Sequence, residues 1–193
     1  PTLNTSLGIN LNAIAQNTSS PAGTLVSSML SGVSDVDAGA LQGIAVTGVT
    51  NSGGAWQYTL NGTTWSNFGG PTNAAARLLP SDATTRIRFV PNTGFSGTSP
   101  MFFRAWDQTS GTQGNKVDTT TNGGITAFST ATATSNITIS AVNDAPTLSG
   151  AVDFATITED QTTSAGNLVS DLVTGGKIGD VDASAAQGIA VTG

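Results

Sequence analysis

Short segments of this chain alternate between apolar and polar residues, and turn residues separate them. The alternation is clearest at 55–60 (AWQYTL), 86–90 (RIRFV) and 127–142, and a further apolar segment covers 100–106. Because successive side chains of a strand point to opposite faces of a sheet, this pattern predicts short strands with one buried face. The dipeptide Asn61-Gly62 follows the first segment and predicts a tight hairpin there.

Helical turns are predicted only at 22–30 and 168–173, with one or two turns each. The polar, glycine-rich segment 108–126 predicts a long loop. Many short strands with few helical turns are typical of an all-β antiparallel sandwich.

Two parts of the chain, 145 positions apart, are nearly identical. Residues 35–48 (DVDAGALQGIAVTG) return as 180–193 (DVDASAAQGIAVTG), and Pro1-Thr2-Leu3 returns as Pro146-Thr147-Leu148. A repeat of this length corresponds to a whole domain. The sequence therefore predicts one complete domain at 1–145 and the N-terminal portion of a second at 146–193. A short linker at 141–146 joins the two.

Composition excludes several classes of function. Charged residues make up 9% of the chain and the net charge is −6, whereas nucleic-acid binding needs clustered Lys and Arg. The chain contains no Cys and no His, which removes disulfides, thiolate metal sites and the usual nucleophile–base pairs. We therefore predict that the chain is not an enzyme. No apolar run reaches the roughly 18 residues that indicate a transmembrane helix.

The acidic residues are concentrated in one part of the chain. Seven of the twelve lie between positions 144 and 182, where Lys177 is the only basic residue. They are Asp144, Asp153, Glu159, Asp160, Asp171, Asp180 and Asp182. Such an excess of carboxylates predicts a positively charged partner.

Three acidic motifs occur in a characteristic order. Asn143-Asp144-Ala145-Pro146 follows a predicted strand, and Thr158-Glu159-Asp160 and Asp180-Val181-Asp182 come after it. Together with the strand 102–107 (FFRAWD) and the turn 91–98 (PNTGFSGT) before it, they resemble the cadherin-like tandem repeats of giant bacterial adhesins. The resemblance covers most of the chain. It implies an antiparallel Greek-key β-sandwich, exposed at the bacterial cell surface or secreted, that extends a larger protein and contacts adjacent repeats of the same polypeptide.

The resemblance also implies Ca²⁺ where consecutive repeats join. Calcium takes six to eight oxygen ligands from carboxylates, amides and carbonyls, which these motifs supply. Asp180 and Asp182 are two residues apart and point to one side of an extended segment. The predicted ligands are Asp107, Asn143, Asp144, Glu159, Asp160, Asp180 and Asp182.

The first repeat departs from this pattern. Aligning Ile14 with Ile157 places Gln16 and Asn17 where the second repeat has Glu159 and Asp160. Asp35 and Asp37 are retained, which predicts a weak second site. The alternative interpretation for all of these residues is that Asp and Asn occupy turns, where they accept local hydrogen bonds.

Two other functions remain open. Trp56, Tyr58 and Trp65 flank the predicted hairpin and suggest an aromatic platform for a carbohydrate, although cross-strand packing is the commoner role. The chain would then be a carbohydrate- or protein-binding module. The incomplete second repeat also suggests a fibre-forming unit, completed by strands from another copy of the chain.

Overall fold

The computed structural model describes residues 1–193 except Gly8, Ala151, 174–176, Ala183 and Gly193. The chain divides into two compact units, Pro1–Ala141 and Val142–Gly193. The division falls inside the predicted linker 141–146.

Nearly all of the regular secondary structure in the first unit is short strand, so the predicted all-β class is confirmed. In chain order the strands are Thr2–Leu3 (β1), Ile14–Ala15 (β2), Thr24–Leu25 (β3), Val33–Ser34 (β4), Gly43–Val49 (β5), Gly54–Thr59 (β6), Ser66–Asn67 (β7), Ala76–Pro80 (β8), Arg86–Pro91 (β9), Gly97–Trp106 (β10), Lys116–Val117 (β11) and Ala133–Ser140 (β12). A single 3-10 turn, Val26–Met29, lies within the predicted helical segment 22–30.

Most of these strands form two sheets. The larger has the order β11-β8-β5-β10-β12-β2, the smaller has the order β3-β9-β6-β7, and β1 pairs separately with β4. Every pair is antiparallel except β2 with β12, which are parallel and match Ile14 with Ile139. That pair departs from the purely antiparallel arrangement predicted from the sequence.

The inner faces of both sheets contribute to one hydrophobic core. The alternation in 86–90 buries Ile87 and Phe89 in the smaller sheet, while Met101 and Phe103 come from the larger one. Trp56 packs against Phe89 with ring centroids 5.3 Å apart. The alternation of apolar and polar residues along each strand therefore determines which face of the sheet is buried.

Strand register fixes which residues share an end of the first unit. β10 is antiparallel to β12, so Gly97 pairs with Ile139 and Phe103 with Ala133. Trp106 closes β10 and Ser140 closes β12, so these two residues lie at opposite ends of the unit. We call these ends the Trp106 end and the Ser140 end.

Two predictions about connections are changed by the structure. The tight hairpin at Asn61-Gly62 is wrong, because β6 ends at Thr59 and β7 begins only at Ser66. The Asn61 Oδ1 instead accepts hydrogen bonds from the N–H groups of Thr63 and Thr64, at 3.0 and 2.8 Å, and forms a wider turn. The loop 108–126 contains β11 and is attached to the unit through the buried Thr119, whose hydroxyl donates to the carbonyl of Asn73.

The second unit repeats one pairing of the first. Its strands Thr147–Leu148 (β13) and Ile178–Gly179 (β14) pair in the register of β1 and β4, displaced by 145 positions (147 − 2 and 179 − 34). A short helix, Val169–Val173 (α1), lies within the predicted segment 168–173.

Apolar side chains that are buried in the first unit have exposed counterparts in the second. Leu148 is 74% exposed where Leu3 is 8% exposed, and Val191 is 88% exposed where Val46 is fully buried.

Candidate metal centre

The Asp-X-Asp turn has the same local geometry in both units. In the first unit, the Oδ1 of Asp35 accepts a hydrogen bond from the N–H of Asp37 at 3.1 Å. In the second, the Oδ1 of Asp180 accepts one from the N–H of Asp182 at 2.9 Å. In each pair, this hydrogen bond from the N–H of the second Asp orients the carboxylate of the first, as is usual for Asp in a turn.

Three carboxylates line one cavity of the first unit. Asp35, Asp37 and Asp107 surround a space of about 450 Å³, together with Pro1 and the loop 123–126. The Oδ1 of Asp107 accepts hydrogen bonds from the N–H and hydroxyl of Thr109, at 2.8 and 2.6 Å. The cavity lies at the Trp106 end, because Asp107 directly follows β10.

Asp35 has the most constrained carboxylate of the three. Its side chain is only 9% exposed, and its Oδ2 accepts no hydrogen bond. That oxygen lies 3.1 Å from the N-terminal ammonium of Pro1. The hydrogen bond from Asp37 lowers the pKa of Asp35, and the ammonium lowers it further. A positive charge is therefore what compensates this buried oxygen.

The counterpart of Pro1 in the second unit is Pro146, which follows Ala145 in the chain. A proline nitrogen inside a chain carries no hydrogen and no charge. The ammonium is therefore specific to a free terminus. If a residue precedes Pro1, the Oδ2 of Asp35 loses this partner.

Asp107 belongs to the first unit, whereas Asn143 and Asp144 belong to the second. Within the first unit it follows β10 at the Trp106 end and shares a cavity with Asp35 and Asp37. That association was not predicted from the sequence, because it depends on the direction of β10. The predicted grouping of Asp107 with Asn143 and Asp144 stays a prediction.

In the second unit the predicted ligands are brought together only in part. The N–H of Asp144 donates to the Oδ2 of Asp182 at 2.8 Å, and the Nδ2 of Asn143 donates to the carbonyl of Asp144 at 3.1 Å. With the bond between Asp180 and Asp182, these contacts join Asn143, Asp144, Asp180 and Asp182 into one local network.

Glu159 and Asp160 lie on a separate exposed turn, which the N–H of Gln161 closes onto the carbonyl of Thr158. Gln16, the counterpart of Glu159, is buried at the Ser140 end of the first unit, where its N–H donates to the carbonyl of Ser140 at 2.8 Å. Over the part of the chain that the structure describes, no three acidic side chains are close enough to form a metal-binding group.

The donors at the Trp106 end nevertheless fit a hard cation. They are carboxylate oxygens, the ligand type that Ca²⁺ prefers, and the Oδ2 of Asp35 has the Pro1 ammonium as its only partner within the described residues. A buried carboxylate that lost this positive charge would be costly to keep and would attract a cation. Asp35, Asp37 and Asp107 are the residues that would hold Ca²⁺ in this unit.

The predicted aromatic platform is not formed. Trp56 is 1% exposed and Tyr58 is 9% exposed, so both belong to the core. The Nε1 of Trp56 donates to the Oγ of Ser99 at 2.9 Å. Trp65 alone lies partly at the surface, with the guanidinium of Arg88 4.1 Å from its ring centroid.

Among the residues that the structure describes, none belongs to a helix with the length and apolar character needed to traverse a bilayer. Comparisons of this chain with protein-family models, with curated proteins and with solved structures found no match.

Proposed function

We propose that this chain is a calcium-binding structural repeat that extends a large, extracellular bacterial adhesin. Each repeat is a cadherin-like Greek-key β-sandwich, and Ca²⁺ binds where consecutive repeats join. The ion stiffens the array, which holds an adhesive domain away from the cell surface.

The observation that carries this proposal is the cavity at the Trp106 end of the first unit. Three carboxylates line it, and the most buried oxygen, the Oδ2 of Asp35, is compensated only by a positive charge. A divalent cation supplies that charge wherever Pro1 is part of a longer chain. Because Pro1 lines the same cavity, the residues that precede it would reach the ion directly.

The repeated geometry supports the proposal from a second direction. The β1–β4 pairing and the Asp-X-Asp hydrogen bond recur 145 positions later, so the second unit begins with the same acidic turn. In the second unit, Asn143 and Asp144 lie three and two residues before Pro146, and the N–H of Asp144 donates to the Oδ2 of Asp182. In each repeat, a linker of this kind before the proline would supply the remaining oxygen ligands of the ion.

Calcium binding is tested by thermal melting and titration calorimetry of the full chain, in Ca²⁺ and in EDTA. A ligand that binds only the folded state stabilises it by about 2.7 kcal/mol at a hundred times its dissociation constant. We expect a higher melting temperature of the first unit in Ca²⁺, and loss of that increase in the Asp35→Asn variant. Equal melting temperatures in Ca²⁺ and EDTA would contradict the proposal.

Two matched proteins sharpen the test. Asp118→Asn removes an acid that caps Thr120 and does not line the cavity, so its response to Ca²⁺ should equal that of the unmodified chain. The second protein carries Val-Asn-Asp-Ala before Pro1, copied from 142–145. It replaces the ammonium with a peptide bond and should bind Ca²⁺ more tightly than the chain with a free terminus.

A further inference from the structure

A row of polar side chains crosses the outer face of the smaller sheet. Arg88 on β9 is directly opposite Gln57 on β6, and Gln57 is directly opposite Asn67 on β7. The Nε of Arg88 donates to the Oε1 of Gln57 at 2.8 Å, and the Nε2 of Gln57 donates to the Oδ1 of Asn67 at 3.1 Å. We call these three residues the donor row.

The direction of these bonds decides what the donor row offers to solvent. Arginine carries only donors, so Gln57 must present its oxygen to Arg88 and its NH₂ group to Asn67. Asn67 must then present its oxygen to Gln57, and its own NH₂ group points elsewhere. Each of the three side chains therefore keeps at least one N–H donor for another molecule, while the amide oxygens of Gln57 and Asn67 each keep one lone pair.

Positive charge accompanies the donors and has no carboxylate partner. Arg86 lies on the same face as Arg88, two residues away, or about 7 Å along the strand. Their other contacts, within the described residues, are with neutral oxygens: Arg86 donates to the carbonyl of Gly23, and Arg88 donates weakly to Ser20 and Pro21 at 3.4 Å. Strands β6, β7 and β9 contain no acidic residue, although the whole chain has a net charge of −6.

Arg88 is also partly withdrawn from water. Burial lowers its pKa from the ordinary value, and its guanidinium covers the ring of Trp65. A partly desolvated cation without an anion gains from acquiring one. Arginine is the side chain best suited to a carboxylate, because its planar fork matches the two oxygens.

The extent of the row indicates a ligand longer than a single ion. Arg88 and Asn67 are separated by two strand spacings, or about 10 Å. The indole N–H of Trp65 adds another donor, which has no acceptor among the described residues. A ligand that fits brings one carboxylate and a series of neutral acceptor oxygens along an extended, flat surface, which is the chemistry of an acidic saccharide.

We propose that the outer face of the smaller sheet binds an acidic saccharide, with Arg88 holding a uronate carboxylate and Gln57 and Asn67 donating to neighbouring sugar oxygens. This site is distinct from the calcium cavity and does not depend on it. It also differs from the aromatic platform predicted from the sequence, since Trp56 and Tyr58 are buried.

The test is calorimetry of the full chain with trigalacturonate in EDTA, which removes any contribution from Ca²⁺. We expect binding at millimolar ligand or below, weakened about tenfold or more when the carboxylates are methyl-esterified. Asn67→Ala should weaken binding several-fold without unfolding the chain, because Asn67 is exposed. Arg88→Lys should bind less tightly than the unmodified chain despite its equal charge.

Arg104→Gln is the matched control, because Arg104 lies on the larger sheet and donates to the carbonyls of Ser129 and Thr130. It should bind trigalacturonate as the unmodified chain does. Three results would each overturn the proposal: no binding of trigalacturonate, equal binding of the esterified sugar, or equal affinity for an oligoglutamate of the same charge.

Discussion

Asp82 holds the turn that leads into β9, and removing its carboxylate should destabilise the first unit. It accepts four hydrogen bonds: from the N–H and hydroxyl of Thr84 at 2.8 and 3.1 Å, and from the N–H and hydroxyl of Thr85 at 2.6 and 3.0 Å. Thr85 is fully buried, whereas Thr84 is exposed. The two pairs of bonds should therefore contribute differently.

The buried pair sets the magnitude of the effect. In Asp82→Ala, the N–H and hydroxyl of Thr85 lose their acceptor inside the protein, while Thr84 can bond to water. A buried donor without an acceptor costs about 1–3 kcal/mol, so we expect a loss of about 2–4 kcal/mol in the free energy of unfolding. For a unit of this size, that corresponds to a decrease of roughly 6–12 °C in melting temperature.

Urea and thermal unfolding, followed by circular dichroism in EDTA, measure this loss without interference from Ca²⁺. Asp118→Ala is the matched control, since Asp118 makes the same pair of bonds to Thr120, which is exposed. It should cost less than about 1 kcal/mol. If Asp82→Ala destabilises the chain no more than Asp118→Ala does, then the burial of Thr85 does not determine how much the turn at Asp82 contributes to stability.

Three further outcomes are expected. Gly54→Ala should cost about 2–3 kcal/mol in urea unfolding, because its Cβ would lie 2.4 Å from the carbonyl oxygen of Val90, and an unchanged midpoint would refute this close contact. Trp56→Phe should cost about 1–3 kcal/mol beyond lost packing, since the Oγ of the buried Ser99 and the carbonyl of Thr50 both lose the indole N–H. Adding Ser99→Ala should not restore this loss, because it also removes the hydroxyl that donates to the carbonyl of Thr50 at 2.7 Å. Burial pushes the pKa of Asp82 up, but the hydrogen bonds from Thr85 and Thr84 outweigh it, so the pKa lies below its ordinary value. Its contribution is then present above about pH 4 and is lost as the pH falls through the folded-state pKa, so the unmodified chain and Asp82→Ala should converge in stability in acid.

The alternation of residues was enough to locate the central strands. Arg86–Pro91 and Ala133–Ser140 follow the period-2 pattern through most of their length, and their buried faces are those that the pattern selects. The pairing of β2 with β12 could not be predicted in the same way. β2 has only two residues and owes its parallel pairing to tertiary contacts at the Ser140 end.

The candidate site was predicted in composition but not in arrangement. The Asp-X-Asp turns and the acidic linker were identified from the sequence, because the Asp-X-Asp motif recurs 145 positions later and seven of the twelve acidic residues lie between 144 and 182. The grouping of Asp107 and Glu159 with the linker rests on their order along the chain and stays a prediction. The association of Asp107 with Asp35 and Asp37 in one cavity could not be predicted from that order, because it depends on strand direction. The donor row was missed because it combines side chains from three strands whose register the sequence does not specify.

Calcium binding at the Trp106 end can be observed by X-ray anomalous scattering from crystals of the chain extended by Val-Asn-Asp-Ala before Pro1 and grown in millimolar Ca²⁺. We expect an anomalous peak within the cavity lined by Asp35, Asp37 and Asp107, with a carboxylate oxygen of Asp35 among the ligands of the ion. A well-ordered cavity without such a peak, with the three carboxylates facing water, would contradict it.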